Sequence, residues 1–284
     1  MARQFSLAHL TALGLAPPEM TYVAARAGYD FVSLRLIPMR TPGEPHYLPG
    51  DRAMIAATRA ALRETGVSML DLELACITRD RDPASYEPAI EAAAELGARH
   101  VISSAWTKER DDRDFVVERY AAICDIAAKY GLTVDLEFPT FSRLGSLAEA
   151  VDILRAADQP NCGLLVDSLY FHFGRVKPAD LAALPRAWFH FLHIADARRD
   201  VPATADGMKE IAREDRLYLG EGCIDFAALM ASVPEVPLSI ELPNAQRVKE
   251  LGYEGHARLC LQTARNHLDN HLPESSLRAA GTHG

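Results

Sequence analysis

Four polar side chains occupy similar positions near the ends of apolar runs in the second half of the chain. They are Glu137 in TVDLEF, Asp167 in GLLVD, His193 in FLHIAD and Glu241 in PLSIEL. Three carboxylates that lie close together away from water must be protonated, paired with cations or bound to a metal. With one imidazole they suit a hard or borderline divalent ion, and Mn²⁺, Mg²⁺ or Co²⁺ fits better than Zn²⁺, which more often takes His or Cys ligands. We expect one ion per chain, with Mn²⁺ favoured. If the four side chains lie apart, each is instead a polar residue hydrogen-bonded at the end of its strand.

Alternation along these runs indicates that the four side chains can meet. Successive side chains of a strand point to opposite faces, and the neighbours of each polar residue are apolar. In GLLVD, for example, Leu164 and Val166 lie on one face and Asp167 on the other. The apolar faces are what a covering layer of helices needs. The four polar side chains are therefore predicted to share the interior of a barrel, at the end where barrel enzymes keep their catalytic groups.

The elements that would position these residues follow a repeated phrase: an Ala-rich amphipathic stretch, a glycine, and then a β-branched or apolar run. The glycines are Gly28, Gly66, Gly97 and Gly131, which lie 31 to 38 residues apart. A glycine after a helix supplies the left-handed residue that ends the helix and turns the chain into a strand. A period of this size is that of one strand–helix unit.

Counting these units along the chain predicts eight strands that alternate with eight helices. The predicted strands span about 5–9, 31–36, 68–75, 100–105, 132–138, 163–168, 188–195 and 237–242. The predicted helices lie near 17–27, 51–65, 84–96, 112–130, 146–157, 178–184, 225–232 and 254–268. Irregular stretches at 37–50 and 197–222 follow strands 2 and 7, where a barrel carries functional loops.

Eight such units close a parallel sheet, which predicts an α/β fold with a single (β/α)8 TIM barrel over residues 1–284. The last residues, from about 272, are predicted to form a loose C-terminal tail. A doubly wound open sheet is the alternative fold. It is disfavoured because no G-x-G-x-x-G motif follows the first strand.

The overall composition narrows the classes of partner. The 284 residues carry 30 basic and 39 acidic side chains, a formal net charge of -9, and 49% are hydrophobic. Such a surface repels nucleic acid and anionic membranes, and no Lys/Arg-rich run offsets it. The N-terminal stretch is unlike a secretory signal, and no stretch reaches the ~18 apolar residues of a membrane span. With five scattered cysteines, we expect a cytoplasmic protein with reduced thiols and with no nucleic-acid or membrane partner.

The order Glu, Asp, His and Glu at the ends of strands 5 to 8 resembles the xylose-isomerase-like superfamily, a group of TIM-barrel sugar and sugar-phosphate isomerases and epimerases. The segment LGEGCIDF resembles the G-E-G loop of the same family. The resemblance implies that Glu137, Asp167, His193 and Glu241 hold one metal, and that the two glutamates move a proton on opposite faces of the substrate. The DNA-repair nucleases of the superfamily fit less well, because they need further histidines for three zinc ions.

At three positions this chain can be compared with the ketose 3-epimerases of the family, and it differs from them at two of the three. Tyr170 stands where those relatives carry a histidine, and Arg143 stands where they carry a glutamate. Arg199 matches an arginine that those relatives place six residues after the strand-7 histidine. The departures leave the metal site in place and bear on the identity of the substrate.

Further residues are candidates for contact with a substrate. Arg35, Arg143 and Arg199 carry guanidinium groups that match carboxylate or phosphate, which favours an anionic group on the substrate. Alternatively, these arginines neutralise the acidic cluster or lie on the surface. The other substrate-binding candidates are His9, Glu73, Trp106, Tyr170, His172 and Glu221. A buried ion pair is the alternative for Glu73, and core packing is the alternative for Trp106.

One further histidine is predicted to be structural. His190 lies an odd number of residues from His193 along the predicted strand 7. Because side chains alternate along a strand, His190 should face the helices rather than the barrel interior.

Together these residues predict a metal-dependent isomerase or epimerase that removes a proton next to a carbonyl of a sugar or sugar phosphate. Glu137 and Glu241 would act as acid and base, Asp167 and His193 as fixed ligands, and the cation would stabilise the enediolate. The first alternative is a lyase that expels a β-hydroxyl from the same enediolate, as relatives that dehydrate 3-dehydroshikimate do. The second is a barrel that binds a small molecule without catalysis. The expected partner is a small polyhydroxylated molecule, anionic if the arginines contact it, and the sequence leaves assembly into a homo-oligomer open.

Overall fold

Eight parallel strands pair in chain order, and β8 pairs with β1, so the sheet closes into a barrel. The computed structural model describes residues 3–39, 45–109 and 111–272. The strands are β1 (Phe5–Leu7), β2 (Phe31–Arg35), β3 (Ser68–Ile77), β4 (His100–Ala105), β5 (Thr133–Glu137), β6 (Cys162–Asp167), β7 (Leu192–Ile194) and β8 (Leu238–Ile240). The predicted (β/α)8 barrel is confirmed, whereas the tail that was predicted after 272 lies outside the described residues.

Within the described residues, ten α-helices connect or flank the strands. They are α1 (Pro17–Ala27), α2 (Arg52–Thr65), α3 (Glu87–Glu95), α4 (Arg113–Ala128), α5 (Leu147–Ala157), α6 (Ser168–Phe173), α7 (Pro178–Ala182), α8 (Ala205–Glu214), α9 (Phe226–Ala231) and α10 (Ala245–His271). Several of them begin at side chains that satisfy the first backbone N–H groups: Asp51 accepts from the first turn of α2 and Ser146 from that of α5. None of these helices is both long and apolar enough to cross a membrane.

The four glycines of the repeated phrase end their helices as predicted. Gly28, Gly66, Gly97 and Gly131 have φ values of 94°, 75°, 88° and 73°, a left-handed region that residues with a side chain rarely adopt. After α1, Gly28 donates its N–H to the carbonyl of Ala24, which satisfies an acceptor at the helix end.

Several segments differ from the prediction. Strand β7 is short, because a 3-10 turn at Arg186–Trp188 occupies the predicted start at 188. The predicted loop 197–222 contains α8, whose first turn is capped by the side chain of Thr204. The last helix begins at Ala245 rather than near 254, and Gly252, with a φ of 67°, interrupts its helical backbone. The predicted loop 37–50 includes residues 40–44, which lie outside the described residues.

Apolar side chains pack on both faces of the barrel. The larger cluster joins the outward faces of the strands to the helices and includes the fully buried Leu136 and Leu164. A separate, smaller cluster consists of Phe31, Leu70, Ile102, Leu165 and Phe191. Leu165 lies two residues before Asp167 on the same face of β6, so this smaller cluster fills the interior below the strand ends. The polar residues at those ends therefore lie directly above a layer of apolar side chains.

Candidate metal centre

Strands β5 to β8 bring the four predicted ligands together at the C-terminal end of the barrel. Glu137 and Asp167 are the last residues of β5 and β6, His193 lies in β7, and Glu241 follows β8. One donor atom from each of the four lies within 4.8 Å of the donor atoms of the others. His193 Nδ1 is 3.4 Å from Glu241 Oε2 and 3.8 Å from Glu137 Oε1. All four side chains are buried inside the barrel, as strand alternation requires.

The chemistry of this cluster fits a divalent metal ion. Both ring nitrogens of His193 are buried, and neither makes a hydrogen bond to the described residues. Buried polar atoms normally have partners, so an imidazole that lacks both is typical of a metal ligand. The three carboxylates beside it complete a donor set that suits a hard or borderline cation. The residues that would hold such an ion are Glu137, Asp167, His193 and Glu241.

Arg216 neutralises part of this cluster, and the sequence-based analysis missed it. Its side chain is 1% exposed, and its guanidinium lies 2.7 Å from Asp167 Oδ2 and 2.7 Å from Glu241 Oε2. It also donates hydrogen bonds to the carbonyls of Glu241 and Ala212. Arg216 follows α8 in a stretch predicted to be irregular, so neither strand alternation nor a motif marked it. The one signal was its place in the long connection after strand 7, where functional residues concentrate.

Burial and neighbouring charges make the two glutamates unequal. Burial and the charge of Glu241 raise the pKa of Glu137 well above its usual range. Burial also opposes ionisation of Glu241, but His193 and Arg216 outweigh it and lower the pKa of Glu241. Burial opposes protonation of His193, but the carboxylates of Glu241 and Glu137 raise its pKa to about 10. A divalent ion that binds here must therefore displace protons from the cluster.

A cavity of about 460 Å³ opens above the cluster. Glu137 and Glu241 line it, whereas the more deeply buried Asp167 and His193 are not among its lining residues. Its volume lies in the range of small-molecule sites. The cavity thus offers two carboxylates to a bound molecule, while the other two candidate ligands lie behind them.

Aromatic side chains form one wall of the cavity. Trp106, Phe141 and Tyr170 line it, with ring centroids 5.9 Å apart between Trp106 and Phe141 and 5.7 Å apart between Phe141 and Tyr170. The indole N–H of Trp106 donates to Ser104 Oγ at 2.7 Å, which holds the ring in place. Two of the predicted substrate-binding residues, Trp106 and Tyr170, therefore lie at the mouth of the barrel, and Phe141 joins them.

Arg35 and Glu73 lie beside the cluster as a buried ion pair. Arg35 Nη2 is 3.1 Å from Glu73 Oε2, and Glu73 Oε1 accepts the backbone N–H of His9 at 2.9 Å. Arg35 lines the cavity, so it remains a candidate for contact with a bound molecule. For Glu73, the alternative to substrate contact was a buried ion pair, and the structure shows such a pair with Arg35.

His9 has a structural position rather than the predicted substrate-binding one. Its Nδ1 accepts the backbone N–H of Arg35 at 2.8 Å, and its Nε2 is 3.0 Å from the carbonyl of Leu15. The side chain is fully buried in a 3-10 turn after β1, since that strand ends at Leu7 instead of at 9. Because the backbone occupies both ring nitrogens, His9 ties β2 to this turn and does not face the cavity.

Arg143 turns away from the mouth of the barrel. Its Nε is 2.6 Å from Asp112 Oδ1, and its Nη1 is 3.3 Å from Glu149 Oε1. It is buried and is not among the residues that line the cavity. The expected role in substrate binding therefore gives way to neutralisation of two acidic residues at the starts of α4 and α5.

Arg199 and His172 lie on a different surface. Both line a second cavity of about 530 Å³ that, among the described residues, shares no lining residue with the first. Arg199 is exposed, and His172 Nε2 is 3.0 Å from the carbonyl of Arg198. The connection after β7 carries Arg199 outward, so the match of its spacing to the family does not bring it to the mouth. Arg216, from the same connection, is the arginine that reaches the cluster.

Asp196 accepts most of the backbone hydrogen bonds that hold the G-E-G loop, and Glu221 Oε2 accepts one, from the N–H of Tyr218 at 3.3 Å. Asp196 Oδ2 accepts the N–H groups of Gly220 and Gly222, each at 3.0 Å. A Cβ at Gly222 would lie 2.3 Å from Asp196 Oδ1, so the loop can pack here only with glycine. Glu221 is exposed, and its Oε1 is 3.1 Å from Arg247 Nη2. The structure therefore does not place Glu221 at the mouth, where it was predicted to contact a substrate.

His190 faces the barrel interior, so the prediction that it faces the helices is wrong. Its Nδ1 is 2.8 Å from Asp135 Oδ1, and Asp135 lies on the inward face of β5, two residues before Glu137. The count from His193 failed because His190 precedes β7, in a stretch where strand alternation does not hold. His190, Asp135 and His100 form a second cluster at the opposite end of the barrel.

Comparison with known proteins agrees with this architecture. The family model described as xylose isomerase-like TIM barrel matches residues 22–270. An inosose isomerase of Bacillus velezensis is 25% identical over 228 residues, which cover 74% of this chain and 75% of that protein. A 3-dehydroshikimate dehydratase of Pseudomonas putida is 24% identical over 252 residues, which cover 85% of this chain and 38% of that protein. The crystal structure of the IolI protein with a binding zinc atom has a TM-score of 0.78 at 20% identity and covers 95% of this chain and 99% of that chain.

The family match runs from α1 to α10 and therefore contains strands β2 to β8. It also contains all four residues of the cluster at the mouth. The similarity of shape to the solved structure supports the same closed topology of eight strands. The chain belongs to the xylose isomerase-like TIM barrel family.

Proposed function

We propose that this chain is a divalent-metal-dependent isomerase or epimerase of a polyhydroxylated ketone or sugar. The observation that carries the proposal is the division within the cluster: Glu137 and Glu241 line the cavity, and Asp167 and His193 are buried behind them. The two glutamates come from β5 and from the end of β8, strands three positions apart in a ring of eight. They can therefore approach a bound molecule from different walls of the barrel, as a pair that removes and returns a proton must do.

A divalent ion held by the four clustered residues would act as a Lewis acid that polarises the carbonyl of the substrate. In this proposal, one of Glu137 and Glu241 takes the proton from the carbon next to that carbonyl. The other glutamate, or the same one, returns a proton to the resulting enediolate at a different position or on a different face. Arg216 holds Glu241 for this task by donating to both its carboxylate and its backbone carbonyl.

The aromatic wall of the cavity supports an uncharged polyhydroxylated substrate as the first candidate. The aromatic wall offers a flat apolar surface of the kind that packs against the C–H face of a ring. Of the predicted arginines, Arg35 is paired with Glu73, and Arg143 is paired away from the mouth. The similarity to an inosose isomerase over three quarters of the chain also supports isomerisation.

A dehydratase is the second candidate, because loss of a β-hydroxyl can follow the same proton abstraction. Arg213 of α8 lines the cavity together with Arg35, and two guanidinium groups at one cavity suit a carboxylated substrate. The similarity to a 3-dehydroshikimate dehydratase over 85% of this chain supports this candidate too.

Mass and absorbance followed together separate the two reactions. The protein would be supplied with Mn²⁺ in deuterated water and offered cyclic polyhydroxylated ketones, ketoses, sugar phosphates and 3-dehydroshikimate. An isomerase leaves the molecular mass unchanged apart from deuterium gained at the carbon next to the carbonyl. A dehydratase loses one water and gains a conjugated chromophore, and that result would replace the first candidate by the second. Absence of deuterium exchange and of turnover across the panel would contradict both.

A further inference from the structure

The barrel carries a second group of metal-binding side chains at the end opposite to the mouth. His100 begins β4, Asp135 lies within β5, and His190 lies two residues before the start of β7. Asp135 is fully buried, whereas the side chains of His100 and His190 are 12% and 22% exposed. The group is therefore closed toward the barrel interior and open to solvent at the N-terminal ends of the strands.

We propose that His100, Asp135 and His190 form a second metal site, one that takes Zn²⁺ or a similar transition-metal ion. Two imidazoles and one carboxylate, with a further position open to water, are a donor set that zinc accepts in tetrahedral geometry. They differ from the three carboxylates and one imidazole at the mouth, which suit a harder ion. The two ends of one barrel would thus select different metals.

One donor atom from each of the three residues lies within 4.8 Å of the others, so the group is compact enough to hold one ion. His190 Nδ1 is 2.8 Å from Asp135 Oδ1, and His100 Nδ1 is 3.7 Å from Asp135 Oδ2. Bonds of the length typical of zinc place two tetrahedral ligand atoms roughly 3.4 Å apart, between these two values. The imidazole rings stack at 5.1 Å with an angle of 16° between their planes, and their Nδ1 atoms lie beside the two oxygens of the same carboxylate. Small shifts of the two rings therefore suffice to surround an ion.

Gly163 provides an independent indication that this space is shaped for the group. Gly163 of β6 pairs with Asp135 of β5. A Cβ at this position would lie 2.2 Å from Asp135 Oδ1 and 2.6 Å from His190 Nδ1. Gly163 needs no unusual backbone angle, since its φ is not among the positive values. What the glycine permits is the close approach of a carboxylate and an imidazole over β6.

The charges of the group are compatible with an ion at neutral pH. Burial lowers the pKa of His100 to about 4, although Asp135 opposes this, so His100 is in the neutral form that binds metals. Burial opposes protonation of His190, but its hydrogen bond to Asp135 raises its pKa. Thr133 Oγ1 donates to Asp135 Oδ2 at 3.0 Å, and His100 Nδ1 lies 2.7 Å from the same hydroxyl. Metal binding must therefore displace one proton from between His190 and Asp135.

Phe191 separates this site from the mouth. Its ring centroid is 5.4 Å from that of His100 on one side and 5.7 Å from that of His193 on the other. Phe191 belongs to the apolar cluster that fills the barrel interior, so no polar path along this side chain joins the two sites. In TIM barrels the N-terminal face serves stability rather than catalysis, and an ion here would link β4, β5 and β7.

Cobalt titration of the full-length protein tests the proposal. Protein treated with chelator would be titrated with Co²⁺, and bound metal would be measured by equilibrium dialysis and visible absorption. We expect two Co²⁺ per wild-type chain, one of them with the intense visible bands of a tetrahedral site. His193→Ala should keep the tetrahedral bands and lose the other ion. His190→Asn and His100→Gln should each lose the tetrahedral bands and keep the ion at the mouth, and His46→Ala, which removes an exposed imidazole, should change nothing.

Melting of each metal-free variant by circular dichroism controls for loss of fold. His190→Asn retains a side chain that can donate to Asp135, and His100 is partly exposed, so at least one of the two variants should melt within a few degrees of wild type. One Co²⁺ per wild-type chain, or tetrahedral bands that persist in both folded variants, would overturn the proposal. Either outcome leaves the metal centre at the mouth unaffected, because His193→Ala tests that centre separately.

Discussion

All four clustered residues are candidate metal ligands, but Glu137 and Glu241 also line the cavity, whereas Asp167 and His193 do not. Replacement of either glutamate by glutamine keeps an oxygen donor and the side-chain volume but removes the carboxylate base. We expect Glu137→Gln and Glu241→Gln each to lower kcat by about 10²–10⁴-fold, the usual contribution of a general acid or base, with the fold unchanged.

Steady-state kinetics with a substrate found in the panel, together with melting curves, would measure this effect. Glu221→Gln is the matched control, because Glu221 is exposed and paired with Arg247, and it should keep wild-type activity. Near-normal rates in both cavity variants would mean that the glutamates are ligands alone.

Arg216 is expected to be the main internal cation of the mouth cluster. Arg216→Met leaves Asp167 and Glu241 buried without their partner, which typically costs about 3–5 kcal/mol of folding free energy. Saturating Mn²⁺ should shrink this loss, because the ion supplies positive charge to the same carboxylates. Arg216→Lys keeps the positive charge but loses the planar guanidinium, so its folding stability should lie between those of wild type and Arg216→Met.

Chemical denaturation of wild type and both variants, with and without Mn²⁺, would measure the difference. A loss in Arg216→Met that Mn²⁺ leaves unchanged would show that Arg216 acts through packing and not through charge.

At the scale of elements, the connection between β7 and β8 depends on one carboxylate. Asp196 accepts four backbone N–H groups, those of Ala197, Gly220, Gly222 and Ile224. Asp196→Asn replaces one accepting oxygen by an N–H₂ group that faces donors. We expect a loss of about 2–3 kcal/mol, equivalent to a fall in Tm of roughly 4–12 °C. Asp200→Asn, at an exposed position of the same connection, should stay within about 0.5 kcal/mol of wild type, and an equal effect at both positions would contradict the assignment.

The elements that sequence patterns could predict are those with regular periodicity. Glu137 and Asp167 are the last residues of β5 and β6, so alternation alone predicts that these two candidate ligands face the barrel interior. The long connection after β7 has no such period, and for this reason both Arg216 and the outward course of Arg199 escaped prediction. Helix α8 could have been predicted from the sequence, because Thr204 is a typical N-cap residue and the helix is strongly amphipathic. It was missed because the whole stretch 197–222 was predicted to be irregular.

The positions of two histidines show a different limit. His9 was predicted to end strand 1, and His190 was assigned by strand alternation along a predicted strand 7. Both lie outside the observed strands, which end at Leu7 and begin at Leu192. A short strand and a 3-10 turn have similar apolar composition, so the boundary between them is decided by tertiary hydrogen bonds such as that from Arg35 to His9. Such bonds join residues far apart in the chain, and no local pattern reveals them.

For the molecule as a whole, a buried uncharged histidine links stability to pH. Burial lowers the pKa of His9 to about 3 from 6.5, although its bond to Leu15 opposes this. Between these values the unfolded chain binds a proton that the folded chain does not, so stability is lost as the pH falls below 6.5. Each such group removes up to about 1.4 kcal/mol per pH unit. The free energy of unfolding of His9→Gln should therefore change less with pH than that of wild type between pH 6.5 and 5.5, where few carboxylates titrate.

Urea denaturation at several pH values in this window would give the slope of the free energy of unfolding against pH. His46→Gln is the control, because His46 is exposed, and it should retain the wild-type slope. Equal slopes for wild type and His9→Gln would show that His9 is protonated in the folded protein.

The residues of the mouth cluster come from one half of the barrel, which affects how the site could be inherited or engineered. All four clustered ligands, and Arg216 with them, lie between residues 137 and 241, in the half of the barrel formed by β5 to β8. Among the described residues of the first half none belongs to this cluster, but Arg35 and Trp106 contribute to the walls of the cavity. An exchange of half-barrels between relatives would therefore transmit the candidate metal centre intact with the second half. Selection for a new substrate could meanwhile act on the walls inherited with the first half, without disturbing the centre itself.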